Sequence, residues 1–197
     1  MLTFPYYIRE VTTLQKIEVQ NHSTTKNKTR SLVQSSILIA LVFVSTLFLN
    51  IKLPIAANGG LVHLGSAMLF IAAILFGPKK GAIAGAFGMG LFDLVAGWTL
   101  WAPFTFVTRG IQGFIVGYIA HSAAIKLRPT FKNIVAILLS IPFMLAGYYI
   151  CEAILFKSWI IPFASMPGDL VQSFVGLAIA IPLCTALQKF IRNEQKR

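Results

Sequence analysis

Long apolar stretches alternate with short polar or Gly/Pro-bearing breaks along this chain, and the breaks decide how it reads. A polar segment, 1–31, ends in NHSTTKNKTR and leads into the first apolar stretch, 32–49, LVQSSILIALVFVSTLFL. A helix crosses the hydrocarbon of a bilayer in about 20 residues, so this stretch is just long enough. IKLPIAANGG follows, with Pro54 and Gly59-Gly60 placed for a sharp reversal into a short second stretch, 61–76. GPKK at 77–80 turns the chain into a third, 81–97, in which Gly81, Gly85 and Ala82, Ala86 recur at a spacing of four. Small residues at that spacing let helices approach closely. WTLWAP is an interfacial turn, with Trp98 and Trp101 suited to headgroup depth.

The fourth stretch, 103–124, contains Arg109 and ends at the basic loop KLRPTFKN. The fifth, 133–156, has Pro142 inside it, where a kink is expected. KSWIIPFASMPG precedes the sixth, 168–190, and a basic tail closes the chain. The pattern predicts an all-α polytopic membrane protein with six transmembrane helices in one membrane domain, 32–190. Residues 1–31 form a polar N-terminal segment and 191–197 a tail, both expected to be cytoplasmic.

Composition agrees. Of 197 residues 56% are hydrophobic and 12% charged, against about 25% charged in soluble domains. A net charge of +11 would point to nucleic acid in a soluble chain, but here the basic residues sit in loops and tails. They report sidedness instead. With both termini inside, the cytoplasmic segments hold fourteen Lys and Arg, and the outer loops hold only Lys52 and Lys157. That bias fixes an even number of spans and a multi-pass position in the cell membrane. The polar first 31 residues are unlike a signal peptide, so the first helix is expected to stay in the membrane. Cys151 and Cys184 lie in apolar stretches without metal or redox spacing and are read as packing residues.

Charge inside the membrane costs about 2.5–3.5 kcal/mol per residue on insertion scales, so each retained charge needs a partner or a task. Arg109 either holds a substrate group or pairs with Asp93 or Glu152 to fix the helices. Asp93 follows Gly88 and Gly90, which leave room for a ligand or a neighbouring helix. Tyr148 stands one turn before Glu152 on the fifth helix, a stacking surface beside an acceptor that suits a small polar heteroaromatic. Asp169 opens the sixth helix, where an acid also offsets the helix dipole, and Gln172 faces the same way one turn on. His63 and Asn58 flank the Gly59-Gly60 reversal and are candidates for either ligand contact or loop anchoring.

All these residues fall toward the outer half, which favours a one-sided pocket over a path through the membrane. There is no GxxxxGK[ST] motif, no nucleophile with a base, and no metal-ligand set. The reading is therefore a binding subunit without catalytic residues, metal or cofactor, dependent on a partner for energy. It is not an enzyme.

NGGLVHLGSAMLFIAAILFGPKKGAIAGAFGMGLFDLVAGW, followed by TRGIQGFIVGYIA, resembles the S components of energy-coupling factor (ECF) vitamin transporters. The likeness is to the branch of riboflavin, pyridoxine and thiamine-precursor binders. It implies a six-helix subunit that holds one vitamin near the external face and docks on a transmembrane coupling protein with two ABC ATPases. It also implies a gate in the loop 51–60 and a docking surface on the first helix, where Ser36 and Ala40 stand for the family's Ala-xxx-Ala. Family members often carry an acid after the gate, where this chain has Leu64-Gly65-Ser66-Ala67.

The substrate-binding candidates are thus Asn58, His63, Asp93, Trp98, Arg109, Tyr148, Glu152, Asp169 and Gln172. The expected ligand is a small heteroaromatic such as pyridoxine or hydroxymethylpyrimidine. Pantothenate or riboflavin are the alternatives, as is a structural or assembly membrane protein whose polar residues only join helices.

Overall fold

Helices make up nearly all of the described residues, 27–48, 50–52 and 61–194, of the computed structural model. Six helices occur among them: α1 (Asn27–Phe48), α2 (Gly65–Phe76), α3 (Pro78–Val95), α4 (Ala102–His121), α5 (Pro129–Phe156) and α6 (Met166–Glu194). Asn58 and the expected gate from residue 53 onward lie outside the described residues. The chain divides after Ser36. In the first part, residues 27–36 are the opening turns of α1, and the exposed Ser36 hydroxyl donates to the Leu32 carbonyl at 3.1 Å. The second part, from Ile37 on, holds the core and the candidate site.

The fold class follows the sequence expectation, and two element boundaries differ from it. Residues 61–63 do not begin the second helix; Leu61–His63 (β2) pairs antiparallel with Asn50–Lys52 (β1). Asn50 faces His63 and Lys52 faces Leu61. Backbone groups of these residues are thus met by a neighbouring strand rather than by a helical ladder, and α2 starts at Gly65. A second boundary also differs. GPKK is not a four-residue turn: Gly77 alone reverses the chain at φ 90°, and Pro78 opens α3. Proline suits the first helical position, whose N–H has no partner inside the helix.

By length and composition α1, α5 and α6 are able to cross a membrane, whereas α2 is apolar but shorter. Its apolar residues run all round, and Leu69, Phe70, Ala72 and Ala73 are fully or almost fully buried. A helix that is apolar on every face belongs inside. Accordingly α2 packs against α3, α4 and α6 instead of presenting a face to lipid.

Glycine sets the closest approach, between α3 and α4. A Cβ on Gly113 would run into the Gly81 backbone, and one on Gly81 would sit 2.9 Å from the Gly113 carbonyl oxygen. At Gly85 an added Cβ would come within 2.7 Å of the Arg109 carbonyl oxygen. The small residues of α3 therefore place the α4 backbone at the position from which Arg109 projects.

Candidate functional site

Arg109 is the centre of the site. It lies on the inward face of α4, where Thr105, Thr108, Arg109, Gln112 and Val116 are all buried at helical spacing. Only 2% of Arg109 is exposed. Its Nε donates to the Tyr148 hydroxyl of α5 at 3.1 Å, and its Nη1 donates to Gln112 Oε1 at 2.8 Å. Nη1 also reaches Ser66 Oγ, on the first turn of α2, at 3.4 Å. The guanidinium carbon stands 5.0 Å from the Tyr148 ring centre. Hydrogen bonds to a charged group contribute about 1.5–3 kcal/mol each, which offsets the cost of burying it.

Ser66 links this arginine to α6. Gln172 Nε2 donates to Ser66 Oγ at 2.8 Å and lies 3.4 Å from His63 Nε2. Tyr148 in turn shares a hydrogen bond of 3.2 Å with Thr105. Side chains from β2, α2, α4, α5 and α6 thus form one connected polar network. His63 belongs to the strand pair outside the helices. Burial, and secondly the charge of Arg109, push its pKa down to about 3, so its imidazole is neutral.

Of the candidates read from the sequence, Arg109, Tyr148, Gln172 and His63 come together here. Glu152 is buried one turn along α5 from Tyr148. Asp93, near the end of α3, is half-buried and interacts with the Thr105 hydroxyl. Both Asp93 and Asp169 lie within electrostatic reach of Arg109. The Asp169 backbone N–H donates to the Ser165 carbonyl at 3.2 Å, which ties the acid into the start of α6. Trp98 packs edge-on against Trp101, with ring centres 5.3 Å apart, instead of joining the network.

Ser66, Gln112 and Thr105 were not among the candidates. Each is uncharged and sits in an apolar run, where it reads as tolerated polarity. The signal for two of them is spacing: Thr105 and Gln112 stand four before and three after Arg109, on its own helix face. Among the described residues there is no group of three or more His, Cys, Asp or Glu able to hold a metal ion.

Fold and site together define a helical integral membrane protein whose buried polar groups gather around a single guanidinium. The family model for the ECF-type riboflavin transporter S component matches residues 26–189, and the chain belongs to that family. It is a transporter component, not an enzyme. Among curated relatives, a thiamine precursor transporter, HmpT, of Lactococcus lactis subsp. cremoris (strain MG1363) is 28% identical over 160 residues. That match covers 81% of this chain and 89% of the relative. An uncharacterized protein of Pyrococcus woesei is 41% identical over 68 residues, 34% of this chain and 45% of that protein.

Solved structures share the fold. The S component of a bacterial ECF transporter superposes with a TM-score of 0.64 at 19% identity, covering 83% of this chain and 98% of the other. The S-component for biotin from an ECF-type ABC transporter gives 0.55 at 16% identity, with 80% and 92% covered.

Proposed function

We propose that this S component captures a small heteroaromatic vitamin or precursor, hydroxymethylpyrimidine or pyridoxine, at the Arg109 network. The observation that carries the reading is the convergence of Arg109, Tyr148, Ser66 and Gln172 from four helices on one buried point. Convergent polar groups within an apolar surround suit a small polar ring, which needs a few directed hydrogen bonds and an aromatic neighbour. Tyr148 supplies the aromatic face. Asp93, Glu152 and Asp169 supply acceptors for ligand hydroxyl or amino groups, and Trp98 and Asn58 are proposed as further ligand contacts. The similarity to a thiamine precursor transporter supports hydroxymethylpyrimidine within this class.

Riboflavin is the second reading, favoured by the description of the matching family. Mass spectrometry of small molecules that co-purify with the chain separates the two. A pyrimidine or pyridine of vitamin type supports the first reading, a flavin the second, and pantothenate would contradict both.

Uptake is proposed to require a transmembrane coupling protein and two ABC ATPases, with docking on α1 at the Ser36 and Ala40 spacing. Ala40 is exposed, as a docking residue must be. The distribution of basic residues supports a site that opens to the outside.

A further inference from the structure

Gln112 is completely buried, and the two ends of its amide are in different situations. Oε1 accepts from Arg109 Nη1 at 2.8 Å, whereas Nε2 is buried with no hydrogen-bond partner. A guanidinium can only donate, so Arg109 fixes which way the amide faces: oxygen toward it, NH2 away. A buried donor left unmet is costly, and native proteins rarely keep one without a use.

His63 repeats the pattern at the other end of the network. Gln172 Nε2, which donates to Ser66, can only donate to His63 Nε2 as well. A neutral imidazole that accepts at Nε2 carries its proton on Nδ1, and Nδ1 is also buried, with no hydrogen-bond partner beyond the backbone of His63 itself. Two donors, Gln112 Nε2 and His63 Nδ1, thus flank the Arg109–Ser66–Gln172 chain.

We propose that Gln112 is a specificity-determining residue whose Nε2 donates to an acceptor, a ring nitrogen or carbonyl oxygen, on the ligand held at Arg109. The inference rests on the reading of this network as the ligand site, and it adds the chemistry of the ligand edge: acceptor, not donor. A heterocycle that offers a ring nitrogen meets Gln112; one with C–H at that position leaves the amide as it stands.

Two variants separate donor from shape. Gln112→Glu keeps the side-chain length and an oxygen for Arg109 but has no NH2, and Gln112→Met keeps the volume alone. Calorimetry on the purified full chain compares hydroxymethylpyrimidine, pyridoxine and riboflavin, then the tightest binder against analogues with one ring acceptor replaced by C–H. The wild type is expected to prefer the parent over one analogue by about 10- to 100-fold, the range of a buried hydrogen bond. In both variants that preference disappears. Wild-type binding with the preference intact in the variants overturns the inference and leaves the functional reading standing. Failure of the wild type to bind any of the three ligands overturns the functional reading and the inference with it. If neither variant folds, a liganded wild-type structure decides: Gln112 Nε2 within hydrogen-bond distance of a ligand acceptor supports the inference, and its absence from the ligand overturns it.

Discussion

Arg109 and Tyr148 meet twice: the guanidinium carbon lies 5.0 Å from the ring centre, and Nε donates to the hydroxyl at 3.1 Å. One aromatic residue therefore gives the buried cation both a π surface and an acceptor. The two contacts can be separated. Tyr148→Phe keeps the ring and removes the hydroxyl that Arg109 and Thr105 share. The expected cost is about 1.5–3 kcal/mol of stability, since a charged donor loses a buried partner. Thermal unfolding in detergent measures it, and a change of less than half that size would mean the hydroxyl contact matters little.

Ser66 is the junction between α4 and α6, because Arg109 and Gln172 both donate to its hydroxyl. Ser66→Ala removes the oxygen while adding no bulk. Ligand affinity should fall by about 10-fold or more as the two donors lose their common anchor, the scale expected for one buried hydrogen bond. Calorimetry with the co-purifying ligand checks this; unchanged affinity would place Ser66 outside the site.

Helix packing is tested away from the polar network. Gly113→Ala puts a methyl group against the Gly81 backbone, where nothing flexible can yield. Overpacking of this kind costs about 1–3 kcal/mol. Gly168→Ala is the control, because nothing lies within 4 Å of its added Cβ. The first variant should melt earlier than the wild type and the second should not. Equal melting temperatures would contradict the close contact between α3 and α4.

Legibility in the sequence followed the scale of the signal. The long apolar runs of α5 and α6 are visible because each carries enough hydrophobic residues to mark a span without help from its neighbours. The strand pair was hidden: NIK and LVH are three residues each, and LVH continues without a break into the apolar run of α2. Only pairing across the reversal distinguishes it. In the site, Arg109 announced itself because a cation at membrane depth is expensive. Ser66, Gln112 and Thr105 cost little as isolated polar residues and gain meaning only from the arginine they surround.

Docking and binding are expected to be separable. Ala40 is exposed on α1, and it makes none of the hydrogen bonds of the Arg109 network. Ala40→Trp should abolish co-purification with a coupling subunit and leave ligand affinity within about twofold of the wild type, as expected for a change at an exposed position outside the network. Loss of both together would contradict an independent docking face.

The central claim is that the Arg109 network holds a small heteroaromatic ligand. Its most direct measurement is the affinity of the purified wild type and Arg109→Ala for the small molecule that co-purifies with the chain, identified by mass spectrometry. The account predicts a pyrimidine or pyridine of vitamin type, bound by the wild type below about 1 μM and at least about 100-fold more weakly by the variant, as loss of a charged anchor implies. A wild type that binds no such ligand, or an Arg109→Ala variant that stays folded and binds it equally well, would contradict the account.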